Sequence, residues 1–319
     1  MNTFNLTNLF PPNIRQIYRY VVGIFIPTHA TGLILNILLL KLLSTNKIFQ
    51  KTTYRLIRMS VISDTISAST ALIMFIMITF GNLDFVAGSN LCRIGITILF
   101  TSYAVSMTNL ALIAVDRYFV IVRPFSPFYR NHKRRFLITT EILIWLVSIS
   151  VTSIMLLYVS SYPDFPTTCD FPEMSVDSGV YLLHWLLISY AMPTATIVMS
   201  YAKIAIYQKN YVRPGIRTSE QLHEDFTRRR KFIKVLIYIT SCYILLSLPY
   251  FIFSVIASIT QKPLVHLLSG NIYLFIVDYF INGLVLSIHF LNPLLYVTFD
   301  KQIRAGIISE VKNLFHSSM

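Results

Sequence analysis

The sequence predicts an all-α membrane protein, a bundle of seven transmembrane helices followed by a short amphipathic helix. The first observation is composition: hydrophobic residues make up 55% of the 319 residues, and charged residues only 13%. Soluble domains usually carry about 25% charged residues. A chain this apolar requires lipid as part of its solvent, unless it is a large soluble protein with buried helices. The distribution of its apolar residues decides between the two.

The apolar residues are concentrated in seven windows that contain no Asp, Glu, Lys or Arg. The windows cover 20–40, 65–83, 94–115, 142–163, 178–202, 235–261 and 279–299. Each is about as long as the ~20 residues that a helix needs to cross a ~30 Å hydrocarbon core. Because backbone groups cannot bond to water there, each window is predicted to be a helix. Buried helices of soluble proteins are usually shorter and polar on one face, which disfavours the soluble alternative.

The basic residues predict how the bundle is oriented. The loops after the first, third, fifth and seventh windows hold 5, 6, 9 and 3 of the 27 Lys and Arg residues. The N-terminal segment and the other three loops hold 2, 1, 0 and 1. Basic residues near helix ends stay in the cytoplasm, so the N-terminus is predicted to lie outside the plasma membrane. The formal net charge of +13 is then a signal of topology, and nucleic acid is not expected as a partner.

The predicted domain organisation is simple. A seven-helix domain, 20–299, lies between an extracellular tail, 1–19, and a cytoplasmic segment, 300–319. In the cytoplasmic segment apolar residues recur at helical spacing, which indicates an amphipathic helix on the inner membrane face, in contact with lipid. Asn5 opens an Asn-x-Thr sequon on the outer side, where it is either glycosylated or a chance match.

Two of the three cysteines are predicted to form a disulfide. Cys92 lies at the outer start of the third helix and Cys169 in the outer loop between the fourth and fifth helices. Both face the oxidising compartment, where disulfides persist. A bond between them would hold that loop over the mouth of the bundle. Cys242, inside the sixth window, is expected to be an inert buried residue.

A charged motif closes the third predicted helix at its inner end. Asp116-Arg117-Tyr118 stands there, and Pro124 follows in the next loop. A tripeptide alone would mean little, because short motifs occur by chance. Its position at the end of the third of seven spans is the informative feature.

The seventh predicted helix carries a second motif, Asn292-Pro293-x-x-Tyr296. With these two motifs, the chain resembles the rhodopsin-like (class A) G-protein-coupled receptor family along nearly its whole length, as a divergent member. Further residues fall where the marker residue of each helix is expected in that family. They are Asn36, Asp64, Trp145, Pro193, Tyr201 and Pro249.

The resemblance implies a coupling region for a heterotrimeric G protein at the inner end. Asp116 would hold Arg117 at rest and release it on activation, when Tyr201 and Tyr296 approach it. The implied coupling set is Asp116, Arg117, Tyr118, Pro124, Tyr201, Asn292, Pro293 and Tyr296. An arginine that merely flanks a span is the alternative. Many members restrain this arginine with an acid on the sixth helix, where this chain has Arg229, so some basal activity is expected.

The centre of the bundle departs from the family pattern. Pro249 should kink the sixth helix, because it removes a backbone hydrogen bond and crowds the preceding turn. The family usually has Trp two residues before this proline, and here Ser247 stands in its place. Tyr243, with Met107 and Pro193 as expected neighbours, completes the predicted activation core. The departure indicates a divergent member, or one that signals poorly.

A polar cluster is predicted around Asp64, which is ionisable and lies at membrane depth, where such residues are functional by default. Its expected neighbours are Asn36, Ser106 and Asn292, a group that the resemblance associates with a sodium ion, the one cofactor considered. A purely structural hydrogen-bonded cluster is the alternative. Because Ile288 and His289 replace the family's usual polar pair, His289 is either a further partner or a core histidine.

The extracellular ligand is the least constrained prediction. Leu99 stands where amine receptors have Asp, and Leu286 where light-sensing members have Lys, so both classes are disfavoured. By family position, the pocket-facing candidates are Leu99, Tyr103, Trp185, Tyr250, Phe251 and Asn282. The outer loops add acids, either solvated or favouring a ligand with basic groups such as a short basic peptide. They are Asp164, Asp170, Glu173, Asp177 and Asp278.

Three other functions agree less well with the sequence than a signalling receptor does. An enzyme is disfavoured because the sequence shows no metal-spaced cluster and no Gly-rich phosphate loop, with only 10 glycines. A transporter would be expected to show paired broken helices or an internal repeat, and the sequence indicates neither. A non-signalling decoy receptor is disfavoured by Arg117 in its intact motif but left open by Ser247.

Overall fold

The computed structural model describes residues 14–50, 52–210, 219–268, 271–299 and 301–317. The sequon at Asn5 lies outside these residues, and the side chain of Arg229 is not described either. Six spans of the described chain are helices long and apolar enough to cross a membrane, and a bent helix pair makes a seventh. The predicted seven-helix bundle is confirmed.

The helices follow one another with few other elements. They are α1 (Ile14–Gly23), α2 (Ile26–Thr45), α3 (Thr52–Phe80), α4 (Phe85–Val122), α5 (Pro127–Ser153), α6 (Met155–Tyr158), α7 (Val176–Leu186), α8 (Met192–Asn210), α9 (Ser219–Thr260), α10 (Leu264–Leu268), α11 (Ile272–Leu286), α12 (Ile288–Phe299) and α13 (Lys301–Ser317). A 3-10 turn (Lys47–Gln50) follows α2, and a π turn (Leu187–Ala191) joins α7 to α8. The strands β1 (Ser160–Tyr162) and β2 (Phe165–Asp170) form an antiparallel hairpin between α6 and α7.

The first helix begins at Ile14, six residues before the predicted start of the first span at residue 20. Ile14, Tyr18 and Val22 recur every four residues and are buried, whereas Arg15 and Arg19 lie between them. A window free of charge necessarily excludes these arginines, so the amphipathic outer turns were placed in the tail. Their buried face packs against the outer ends of α3 and α11.

Prolines account for the breaks inside the spans. Pro193 cannot donate to the carbonyl of Ser189, and the π turn stands at that point. In the seventh span α11 and α12 meet at Ser287 with a bend of 43°. Pro293 leaves the carbonyl of His289 without its helical donor, and Asn36 Nδ2 donates to that oxygen at 2.9 Å. A side chain of the first span thus satisfies a backbone carbonyl of the seventh.

The outer hairpin is fastened to the central helix α4. Cys92 in α4 and Cys169 in β2 form the predicted disulfide, with their Cα atoms 5.2 Å apart. A Cβ at Gly88 would lie 1.9 Å from the carbonyl oxygen of Pro166, so only glycine permits this approach of hairpin and helix. Cys242 is a free cysteine, but it is half-buried and not buried as expected.

The C-terminal helix α13 lies against the inner end of the first span. Ile303 and Ile307 are buried in a cluster with Leu39, Leu42 and other residues of that end. On the polar side, Lys41 Nζ lies 2.7 Å from Glu310 Oε2. The helix has the amphipathic character that the sequence predicted.

Candidate functional site

A cavity of about 140 Å³ lies in the outer half of the bundle, bounded by the hairpin strand β2. The six pocket-facing candidates and Asp278, one of the acids expected to favour a basic ligand, all line it. They are Leu99, Tyr103, Trp185, Tyr250, Phe251, Asp278 and Asn282. An apolar cavity of about 150 Å³ is known to hold benzene, so this one admits a group of about that size. The structure brings these residues together, while their role in ligand binding stays a prediction.

Aromatic side chains form the wall that faces the centre of the bundle. Trp185 stacks on Phe100, with ring centroids 4.7 Å apart, and Phe251 stacks on Tyr190 at 3.9 Å. Tyr103 lies 5.6 Å from Phe251 by ring centroids. Sequence analysis did not select Phe100 and Tyr190, which fill the space between the predicted residues.

Tyr103 connects this cavity to the predicted activation core. Its ring centroid lies 5.7 Å from that of Tyr243, one helical turn inward on α9 from Ser247. The Ser247 hydroxyl is buried and donates to the carbonyl of Tyr243 at 2.8 Å. Ser247 therefore supplies no ring where the family has Trp, and Phe251, one turn farther out, packs against Tyr103 instead. Met107 is fully buried nearby, in the same cluster as Tyr243.

The five acids assigned to the outer loops do not share one environment. Glu173 and Asp177 are exposed, and neither they nor Asp164 lines the cavity. Asp170 and Asp278 do line it, but both are buried. The five acids therefore do not form one solvated surface, because the hairpin folds Asp170 inward and α11 carries Asp278 into the bundle.

Asp170 joins the hairpin to the loop between the sixth and seventh spans. Its carboxylate accepts hydrogen bonds from the backbone N–H of Phe171 (2.8 Å), Leu264 (3.3 Å) and Val265 (3.0 Å), and from the Tyr162 hydroxyl (2.9 Å). Burial raises the pKa of Asp170 above its ordinary value, and these donors oppose that rise. Asp170 is thus a structural acid that fastens β2 to the start of α10.

The polar cluster at membrane depth is smaller than predicted. Asp64 accepts hydrogen bonds from the Ser106 hydroxyl at 3.0 Å and from Asn292 Nδ2 at 2.9 Å. Asn36 donates instead to the carbonyls of Gly32 and His289, because the break at Pro293 offers it an acceptor. The predicted cluster therefore divides into two groups.

The second group contains a pair of histidines. His289 Nε2 lies 2.9 Å from His29 Nδ1, and His289 Nδ1 lies 3.4 Å from the Ser67 hydroxyl. His289 is thus a buried histidine with partners of its own rather than a ligand beside Asp64. His29, 260 residues away in sequence, was not anticipated.

A sodium ion beside Asp64 stays a prediction that the residues present would fit. Asn292 Oδ1 is buried and has no hydrogen-bond partner among the described residues, although Nδ2 of the same amide contacts Asp64. A small cation would give that oxygen a partner, with Asp64 and Ser106 as its other protein ligands. Among the described residues no group of three or more His, Cys, Asp or Glu side chains could hold a metal ion, so this site would depend on amide and hydroxyl oxygens.

At the inner end, Arg117 is held by Asp116. The Arg117 guanidinium lies 3.4 Å from Asp116 Oδ2. The other carboxylate oxygen, Oδ1, contacts two residues near the start of α5. Lys133 Nζ lies 2.7 Å from it, and the Tyr129 hydroxyl donates a hydrogen bond to it. Neither Lys133 nor Tyr129 was predicted from the sequence.

The other predicted coupling residues differ in their burial and in their contacts. Tyr118 lies beside Lys203, whose Nζ is 5.6 Å from its ring centroid. Tyr201 and Tyr296 are buried, and their hydroxyls have no hydrogen-bond partner among the described residues. Pro124 is exposed in the turn between α4 and α5.

Comparison with known proteins identifies the family. Residues 35–296 match the family described as 7 transmembrane receptor (rhodopsin family). The chain belongs to this family. It is therefore a multi-pass membrane receptor and not an enzyme, as the sequence predicted.

Several curated receptors are similar to this one. The human Neuromedin-K receptor is 24% identical over 311 residues, which cover 95% of this chain and 63% of the relative. The human Substance-K receptor is 25% identical over 211 residues, 65% of this chain and 51% of the relative. The Tachykinin-like peptides receptor 99D of Drosophila melanogaster is 24% identical over 265 residues, 76% and 48% respectively. The chain thus spans about half to two thirds of the length of these relatives.

This receptor also buries an acid that the charge-free windows excluded. Glu141 of α5 is buried against α4, and Asn109 Nδ2 donates to its Oε1 at 3.1 Å. Glu141 Oε2 and Asn109 Oδ1 have no hydrogen-bond partner in the described chain. The fourth charge-free window begins at residue 142, which placed Glu141 at the membrane boundary. The structure instead places Glu141 between two spans.

Proposed function

We propose that this receptor binds a short peptide from outside the cell and activates a heterotrimeric G protein inside it. Its N-terminus would lie outside the plasma membrane, as the distribution of basic residues predicts. Apolar side chains on the outer surface of the bundle, such as Leu146 and Ile149, would contact lipid. The names of the relatives support a peptide ligand, since one of them is a receptor for tachykinin-like peptides.

The position of Tyr103 is the observation that carries this proposal. One face of α4 presents Tyr103 to the cavity, and the same ring packs against Tyr243 in the activation core. A ligand group that enters the cavity would displace Phe251 of α9 directly, or Tyr103, whose ring packs against Tyr243 and Phe251 of α9. The movement would therefore pass to the sixth span through packed side chains rather than across solvent.

Pro249 would convert that displacement into a movement of the inner end of α9. Because proline has no N–H, the carbonyl of Leu245 lacks its helical donor, and the helix can bend there. An outward swing of the inner half would open the cytoplasmic end of the bundle. Arg117 would then leave Asp116 and contact the G protein, while Tyr201 and Tyr296 supply hydroxyl groups beside it.

Replacement of Arg117 tests the proposal. Cells that carry the receptor and a panel of G-protein activation sensors would be treated with neuromedin K, substance K and a library of short peptides. For any peptide that evokes a response, Arg117→Ala should lower it at least tenfold at equal surface expression without weakening peptide binding. Arg134→Ala, which replaces an exposed arginine near the inner end of α5, is the control and should change neither quantity.

Two outcomes would contradict the proposal. Signalling that survives Arg117→Ala would show that the arginine does not contact the G protein. Saturable peptide binding with no response from any G protein would instead support a decoy receptor, the alternative that Ser247 left open.

A further inference from the structure

The two acids that line the cavity differ in how much of their hydrogen-bonding capacity is used. Asp170 accepts from four donors of the protein, three of them backbone N–H groups. Asp278 accepts from one, the Asn282 side chain, whose Nδ2 lies 3.0 Å from Asp278 Oδ2. The other oxygen, Asp278 Oδ1, is buried without a hydrogen-bond partner in the part of the chain that the structure describes.

Among the described residues, those that line the cavity supply Asp278 with no cation, since they include no Lys, Arg or His. Only 1% of the surface of Asp278 is exposed, so bulk water does not solvate its carboxylate. A buried carboxylate is stable when it is paired and hydrogen-bonded, and costly when it is not. Asp278 therefore has an unused oxygen at a place where a positive charge would be strongly favoured.

The size of the cavity limits what can supply that charge. About 140 Å³ accommodates one ring or one short side chain, not a peptide. Tyr250 and Tyr279 line the same cavity as Asp278, and aromatic rings favour a cation or an apolar stem beside them. Asn282, one turn along α11, fixes the carboxylate by its hydrogen bond to Oδ2 and leaves Oδ1 as the remaining acceptor.

We propose that Asp278 is the anchor for one positively charged group of the ligand, an amino or guanidino group on a short apolar stem. The group would enter between the aromatic rings and donate to Asp278 Oδ1. A lysine side chain, a peptide N-terminus and an arginine side chain share this chemistry. The inference rests on the proposed function for the identity of the ligand as a peptide, but its test requires neither the peptide nor a G protein.

Small cations of matched size test the anchor directly. Benzylamine carries an ammonium group and phenylguanidine a guanidinium group, while benzyl alcohol is a neutral molecule of similar shape. Their dissociation constants would be measured by saturation-transfer NMR on the full-length receptor in lipid nanodiscs at pH 7. At least one cation should bind ten or more times tighter than benzyl alcohol. Preference for phenylguanidine would indicate arginine, and preference for benzylamine a lysine or an N-terminus.

Variants assign the charge preference to Asp278. Asp278→Asn should weaken the preferred cation at least tenfold and leave benzyl alcohol unchanged, whereas Asp278→Glu should keep the preference. Glu173→Gln removes an exposed acid outside the cavity and is the matched control, which should behave like the unmodified receptor. Equal binding of cations and benzyl alcohol by the unmodified receptor would overturn the inference, even if Asp278→Asn failed to fold.

The outcomes separate this inference from the proposed function. A cation preference that persists in Asp278→Asn would overturn the anchor alone, provided that peptide signalling still depends on Arg117. Loss of the preference in Asp278→Asn, together with a receptor that activates no G protein, would support the anchor and contradict the signalling function.

Discussion

At the scale of single residues, the charge of Asp116 is shared between a helix and a loop. Arg117 contacts one carboxylate oxygen, and Lys133 and Tyr129 contact the other. Lys133 also lies over the Tyr129 ring, with Nζ 5.3 Å from its centroid. Because one negative charge serves two cations, each is held less strongly than it would be alone. If Asp116 restrains Arg117 at rest, as we propose, the inner end of α5 would weaken that restraint.

Removal of the competing cation should lower basal activity. In Lys133→Gln the whole charge of Asp116 acts on Arg117, so the resting state is stabilised. Solvent-exposed ion pairs contribute about 0.2–1 kcal/mol, and an effect of that size corresponds to a decrease of about 1.4- to fivefold in ligand-free G-protein activation. The measurement is GTPγS binding in membranes with equal receptor content. Arg134→Gln is the matched control, and a rise in the basal rate of Lys133→Gln would contradict the argument.

Functional residues could be predicted where a single position in the sequence identifies them. Contacts between residues that are distant in sequence were harder to predict. Asp64 and Arg117 could be selected because each stands close to an end of a charge-free window, and Tyr103 because of its family position. The partners were harder to find. Lys133 and Tyr129 lie in the polar inner part of α5, outside the charge-free window of that span. His29 becomes a partner of His289 only when the first and seventh spans pack together.

At the scale of elements, the outer surface is held by a hairpin fastened at two points of β2. The disulfide fixes Cys169 to α4, and the next residue, Asp170, accepts from the first N–H groups of α10. These N–H groups have no helical acceptor, so a carboxylate at this helix start satisfies them. The hairpin thereby connects the third span to the loop between the sixth and seventh.

Substitution of Asp170 by Asn should loosen this connection without changing the shape of the side chain. One carboxylate oxygen becomes an NH₂ group that faces N–H donors, and at least one buried donor loses its acceptor. Such a loss costs about 1–3 kcal/mol, so the melting temperature of the purified receptor should fall by several degrees. Asp164→Asn, in the turn of the same hairpin, is the control. An unchanged melting temperature in Asp170→Asn would show that the connection contributes nothing to stability.

Element boundaries show what a charge-based rule can and cannot find. Window positions marked all seven spans, because lipid excludes unpaired charges from the surface of a helix. The same rule cut off the outer turns of α1 at Arg19 and placed Glu141 at the boundary of the fourth span. In both places the charge faces protein or solvent rather than lipid, a distinction that depends on the packing of neighbouring helices.

At the scale of the whole molecule, the outer cavity and the inner ion pair are connected through α4 and α9. Tyr103 and Asp116 belong to α4, which packs against α3, α5 and α8 and carries the hairpin. The sixth span meets α4 at Tyr243 and Phe251, whose ring centroids lie 5.7 and 5.6 Å from that of Tyr103. Under the proposed function, α4 would serve as the fixed reference and the sixth span would move about Pro249.

Pro249→Ala tests whether bending of α9 transmits activation. Alanine restores the N–H that the carbonyl of Leu245 lacks, so the helix becomes straighter and stiffer. Peptide binding should change by less than about threefold, because Pro249 does not line the cavity, whereas the maximal G-protein response should fall about tenfold. Pro263→Ala, in the loop before α10, is the matched control and should leave the response intact. If Pro249→Ala signals normally while it binds peptide normally, the movement of the sixth span does not depend on the proline, and the packed contact between Tyr103 and Tyr243 would have to act by rotating α9 as a rigid body.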